Sequence, residues 1–185
     1  MKSARRHFVL ASLITACLLV VLIGRWGATS WAERARREAL HTVKIEKSAI
    51  RPDDGDTFFY RDLTIRILGI DTPEIIHEEH GIFEDQPYGR VAAAFTDRAL
   101  KNAEVVEYLA FQPDKYGRLL AHVFVDKQLL AVLLIRAGLA YETVSHYGDN
   151  GFPELAEEIL NAARQSPRPC FEEPYRWRRK HQVKK

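Results

Sequence analysis

Two cysteines, Cys17 and Cys170, are all that 185 residues contain. That excludes a disulfide framework and a four-thiolate zinc site. The body of the chain also lacks a basic excess. Residues 33–165 hold 16 basic and 23 acidic side chains, a net −7. A passive phosphate-binding surface needs surplus cations, so such a surface is disfavoured here. If this body meets nucleic acid, something must offset its carboxylates locally, and a divalent metal would do so. The two ends carry the opposite sign. Residues 1–32 have Lys2, Arg5, Arg6 and Arg25 and no acid, and residues 166–185 have seven basic and two acidic side chains. With 46% hydrophobic and 28% charged residues, wholesale disorder is excluded. No internal repeat is present.

Between Arg6 and Arg25 run 18 residues without a charge. A spanning helix needs about 17–25 apolar residues, and the core of a cleaved signal about 7–15. The run is read as an uncleaved signal-anchor. The alternatives are cleavage near Ser30-Trp31-Ala32, a lipoprotein-like signal at Ile14-Thr15-Ala16-Cys17, and a buried core helix. Basic residues flank both sides and leave orientation open, while the six-residue leader makes an inside amino terminus the simpler reading. The resulting expectation is a single-pass protein of the cell membrane with its domain extracytoplasmic, or a secreted one if the segment is cleaved. This organises the chain as 1–32 hydrophobic segment, 33–42 charged connector, 43–165 folded domain and 166–185 Pro-containing basic tail.

In the domain, residues 42–50, Thr57–Tyr60 and Leu63–Ile70 read as strands from their β-branched and aromatic content. Asp53-Asp54-Gly55-Asp56 is a turn between the first two. Tyr88–Ala103 reads as a helix with Val91, Ala94, Phe95, Ala99 and Leu100 on its apolar stripe. Glu104–Phe111 and Arg118–Val125 read as strands joined by the Pro113–Gly117 turn. Leu129–Leu139 and Phe152–Gln165 read as helices, the second entered through Pro153. After it, three prolines break helix, and the basic end reads as mobile. Five short strands with helices predict an α+β domain, a closed or partly open OB-type five-stranded β-barrel with packed helices.

Acids and arginines concentrate at strand ends and turns: Asp54-Gly55-Asp56-Thr57, Arg66, Asp71-Thr72-Pro73-Glu74, and Asp114-Lys115-Tyr116-Gly117-Arg118. Asp56 and Asp71, with a backbone carbonyl, make an oxygen-only set suited to Ca²⁺ or Mg²⁺. Pro73 pushes Thr72 away from helical angles and frees its carbonyl. Glu74 is placed to orient or deprotonate a water. Arg66 and Arg118 can fork onto phosphate oxygens, which lysine cannot. Arg66 and Asp71 are an odd number apart, so a regular strand would send them to opposite faces. A bulge at Gly69, or a strand ending by Ile70, would bring them together.

The ordered set D-G-D-T, R-I-L-G-I-D-T-P-E, Y-G-R-V-A-A-A-F-T, D-K-Y-G-R and I-R-A-G-L-A, over residues 43–165, resembles the staphylococcal nuclease (thermonuclease) family. The resemblance implies an OB-fold and Ca²⁺-dependent cleavage of DNA and RNA with little sequence specificity, leaving 3′-phosphate and 5′-hydroxyl ends. It implies one Ca²⁺ held by Asp56, Asp71 and the Thr72 carbonyl, catalytic roles for Arg66, Glu74 and Arg118, and phosphate binding by Lys115 and Tyr116. A monomer is expected. At the family's two late tyrosines stand Val144 and His146, leaving Tyr141 and Tyr147 as nearby aromatics. The alternative is a non-catalytic OB-fold module that binds single-stranded nucleic acid at a membrane. The acids and both arginines favour the enzyme.

Blander readings remain for other residues. His77-Glu78-Glu79-His80 can be read as a metal pair, but the nearby Gly81 and Pro87 favour a solvated polar loop; His122 reads as an exposed strand residue, Tyr88 and Phe95 as packing residues, and Cys170 as a free thiol.

Overall fold

Short runs rich in β-branched, aromatic and aliphatic residues build the sheet that carries everything else. The computed structural model describes residues 41–183, so the hydrophobic segment 1–32 lies outside the described residues. Among these, no helix is long and apolar enough to cross a membrane. The strands are β1 (Val43–Lys44), β2 (Ile50–Pro52), β3 (Thr57–Tyr60), β4 (Leu63–Ile67), β5 (Ile70–Asp71), β6 (Val106–Pro113), β7 (Leu119–Val125), β8 (Gln128–Leu129) and β9 (Tyr141–Glu142). The helices are α1 (Gly89–Asn102), α2 (Leu130–Arg136), α3 (Val144–Tyr147), α4 (Pro153–Gln165) and α5 (Pro174–His181).

The main sheet runs β1-β6-β7-β4-β3-β2, with β8 added to β7, and β5 pairs with β9 in a separate ribbon. All pairings are antiparallel except β4 with β7. The domain is therefore α+β, and its sheet is an open path among the described residues. Phe58, Ile65, Ile67, Val123, Leu130, Leu134 and Ile159 form a fully buried core. Each such side chain contributes roughly 1.5–3 kcal/mol relative to exposure.

Four expectations are corrected. Residues 42–50 are not one strand, because a one-turn 3-10 helix, Lys47–Ala49, breaks them. Lys47 Nζ is drawn to the carbonyls of Lys101 (3.2 Å) and Ala103 (2.5 Å), which fastens that turn to the end of α1. The buried face of α1 is Gly89, Ala92, Thr96 and Leu100, while Val91 is exposed. Small residues let the helix approach the Gly55 turn, and that closeness overrides the larger apolar stripe. His122 is buried rather than exposed, with Phe152 edge-on at 5.1 Å. Finally, the basic end is not a loose tail. Residues 174–181 form a helix whose Trp177 is 5% exposed.

Candidate metal and phosphodiester site

The floor of the site is the turn between β2 and β3. Asp54 Oδ1 accepts the Asp56 N–H at 3.0 Å, an Asx turn. The Gly55 carbonyl accepts the Thr96 hydroxyl at 2.5 Å, tying the turn to α1. A Cβ at Gly55 would lie 2.6 Å from Thr72 Oγ1 and 2.8 Å from Ala92 Cβ, so only glycine fits. Asp56 is 0% exposed. Its Oδ2 accepts the Thr72 N–H at 2.8 Å, and its Oδ1 accepts Thr57 Oγ1 at 3.2 Å.

The β3–β4 register sets Thr57 opposite Arg66, which delivers the Arg66 guanidinium to its neighbour Asp56. Its other Nη donates to Asp71 Oδ1 at 2.8 Å. The odd spacing is resolved as expected: β4 ends at Ile67, Gly69 takes a left-handed φ of +83°, and Ile70–Asp71 restarts as β5. One planar guanidinium thus spans both carboxylates.

Glu74 sits three residues on and is buried. Its N–H donates to Gln86 Oε1 at 3.2 Å, and its carbonyl accepts the Gln86 N–H at 2.9 Å. Burial pushes the Glu74 carboxyl above its ordinary value, and Arg178 offsets this only in part. Burial likewise raises Asp54.

Of the residues singled out in the sequence, Asp56, Arg66, Asp71, Thr72 and Glu74 gather here. Lys115, Tyr116 and Arg118 form a second group on the β6–β7 turn. Arg118 forks onto Asp114, with Nε and Nη2 at 2.9 and 2.8 Å. Burial raises the Asp114 carboxyl, but hydrogen bonds from the Arg118 backbone and side chain outweigh this and hold it below its ordinary value. The Tyr116 ring, 70% exposed, lies 5.5 Å from the Arg118 guanidinium and 4.9 Å from Lys115 Nζ. The parallel register pairs Leu119 with Ile65 and Leu120 with Arg66, so the strand starting after Arg118 lies beside the one carrying Arg66.

Two residues escape the sequence pattern, and a third, His77, is not the solvated loop residue expected. Arg178, from α5, donates to both oxygens of Asp71 (3.1 and 2.8 Å) and to Glu74 Oε1. Gln86 clamps Glu74 and, through Nε2, the Glu172 carbonyl at 2.5 Å. His77 is half-buried, with Nε2 2.9 Å from Asp53 Oδ1, and that hydrogen bond raises its pKa. Ligand atoms of Asp54, Glu74 and His77 lie within 4.8 Å of one another. The partners of His77 in that group are thus Asp54 and Glu74 and not the nearby His80, and the proline breaks conceal Arg178.

The donor set is a buried, oxygen-rich cluster with more than one carboxylate per guanidinium. That chemistry fits a hard dication.

Residues 64–167 match the family described as staphylococcal nuclease homologue. A thermonuclease of Staphylococcus intermedius is 39% identical over 137 residues, 69% of this chain and 76% of that protein. A thermonuclease of Staphylococcus hyicus is 38% identical over 96 residues, 49% of this chain and 55% of that protein. A protein of Escherichia coli described as an uncharacterized endonuclease is 30% identical over 144 residues, 72% of this chain and 85% of that protein. By sequence and by the match of more than half its length, this chain belongs to the staphylococcal nuclease family.

Proposed function

We propose that this nuclease cleaves phosphodiester bonds of DNA and RNA with little sequence preference, using one Ca²⁺ and leaving 3′-phosphate and 5′-hydroxyl ends. Asp56, Asp71 and the Thr72 carbonyl would hold the ion. When bound, such an ion neutralises phosphate charge and lowers the pKa of a bound water. The rest falls to the protein. Glu74, its carboxyl raised by burial, is a better base than an ordinary carboxylate and can take a proton from the attacking water. Arg66 is fixed by Asp56 and Asp71 through its two Nη groups, and its remaining N–H donors would meet phosphate oxygens. Arg118 leaves Asp114 to stabilise the extra charge of five-coordinate phosphorus. Tyr116 and Lys115 grip a neighbouring phosphate. Because these contacts read phosphate and not base edges, sequence preference is weak. The uncharged run 7–24 is read as a tether that keeps the domain at a membrane.

The observation that carries this reading is one guanidinium, Arg66, bridging two buried carboxylates with Glu74 three residues beyond. The test is digestion of single-stranded DNA by the full chain with Ca²⁺ and then with chelator. Cutting that stops on chelation and falls in Arg118→Ala supports it, as do fragments that polynucleotide kinase labels without prior phosphatase. Strand binding with no cutting under either condition overturns it.

A further inference from the structure

Helix α5 is fastened to the domain along its length. Trp177 is buried and stacks on His181 at 4.4 Å. The Val183 N–H donates to the Gly81 carbonyl at 2.9 Å, and Gln182 Nε2 to the His80 carbonyl at 2.8 Å. Upstream, Gln86 Nε2 holds the Glu172 carbonyl and the Tyr141 hydroxyl holds that of Phe171. Neighbouring cations are spent nearby: Arg176 on Glu173 and Lys180 on Glu172. Arg178 alone of this helix reaches the metal carboxylates, its side chain 27% exposed.

A carboxylate has about four lone-pair positions. On Asp71 two N–H donors, from Arg66 and Arg178, take Oδ1, and Arg178 also takes Oδ2. A dication on Asp71 therefore meets an Arg178 guanidinium hydrogen-bonded to the same atoms, and like charges this close in a low-dielectric site repel strongly.

We propose that Arg178 is a built-in competitor for the metal site, holding the metal carboxylate Asp71 and the neighbouring base Glu74 until a dication displaces its guanidinium. This rests on the metal-site reading above. The helix stays docked during the exchange, since its anchors at Trp177, Gln182 and Val183 are independent of Arg178; only the side chain swings out. The acids are thereby kept together without metal, and Arg178 raises the calcium level needed for loading above what Arg66 alone would require.

The test is calorimetric titration of the full chain with Ca²⁺, paired with thermal melts with and without Ca²⁺. Arg178→Gln is expected to bind Ca²⁺ at least tenfold more tightly and to gain more melting temperature from Ca²⁺ than the wild type. Arg178→Lys, which keeps charge but loses the fork, should bind at least threefold more tightly. Arg176→Gln removes a charge from the same helix without touching the acids and should stay within twofold of wild type. Wild-type affinity in a folded Arg178→Gln, or an equal shift in Arg176→Gln, overturns the proposal. If Arg178→Gln shows no cooperative melt, Arg178→Lys decides, and wild-type affinity there overturns it. Absence of Ca²⁺ binding in every protein overturns the metal reading and this inference together.

Discussion

Arg66 Nη2 donates to Asp71 Oδ1 at 2.8 Å although the chain between them leaves one sheet and enters another. The left-handed Gly69 makes that exit, and Ile159 Cδ1 packs so closely that a Cβ on Gly69 would sit 2.6 Å from it. The contact therefore depends on a turn, on helix α4 and on the β3–β4 register at once. Its geometry is planar: one Nη for Asp71, the other for Asp56.

Arg66→Lys removes that plane and keeps the charge. A single ammonium cannot span both carboxylates and still leave N–H donors for phosphate. Turnover on single-stranded DNA at saturating Ca²⁺ is expected to fall by about 10² or more, the scale of losing one charge-stabilising donor set. The melting transition should remain cooperative. Retention of more than a tenth of the activity would count against the bridging role.

Gly55→Ala tests the floor of the site without touching a carboxylate. The new Cβ would press on Thr72 and Ala92 together, and neither the Thr72 segment nor α1 can retreat freely. Overpacking of this kind costs about 1–3 kcal/mol. It should also stretch the 2.8 Å bond from the Thr72 N–H to Asp56 and so weaken Ca²⁺ binding. Urea denaturation and calcium titration check both. A variant as stable as wild type with unchanged affinity would show that the turn has slack.

Much of this was readable from residue order because the site acids sit where glycine and proline force turns. Gly55 and Gly69 flank Asp56 and Asp71, and β-branched and aromatic residues mark β3 and β4. The missed features have physical reasons. Helix α5 carries Arg176, Arg178, Arg179, Lys180 and His181 around one buried Trp177, so no apolar stripe announces that it docks. Alternation from Arg118 points His122 outward, but Phe152 at the entrance to α4 covers that face. On α1 the helix turns small residues inward, where close approach matters more than hydrophobicity. Gln86, 1% exposed, carries no signal at all, because its role exists only once two distant segments meet.

Gln86→Ala should separate positioning from metal binding. It leaves the Glu74 N–H and the Glu172 carbonyl without the partners they have now. Each stranded polar group costs about 1–3 kcal/mol. Asp56 and Asp71 keep their own contacts, so Ca²⁺ affinity should change by less than threefold while kcat falls by tenfold or more as Glu74 loses its fixed place. Equal losses in affinity and kcat would argue that Gln86 supports the whole site and not Glu74 in particular.

His122 makes the fold acid-sensitive in a calculable direction. Burial lowers its pKa from 6.5 to about 4, and among the described residues neither ring nitrogen has a hydrogen-bond partner. The folded state thus holds the neutral ring, while the unfolded chain takes up a proton near pH 6.5. Between these values the unfolded state binds more protons, so stability is complete above about pH 6.5 and is lost as pH falls towards 4. At 1.36 kcal/mol per pKa unit the loss is about 3 kcal/mol. Glu74 and Asp54, both raised by burial, work in the opposite sense, since their folded state is the readier to accept protons on acidification. The comparison must therefore be between wild type and His122→Leu. The leucine variant removes the unsatisfied nitrogens and keeps an apolar contact to Phe152, so it should be at least as stable at pH 7.5 and should flatten the decline. Urea midpoints at pH 4.5, 5.5 and 7.5 measure this, and parallel curves for the two proteins would mean that the ring is already charged or hydrated in the fold.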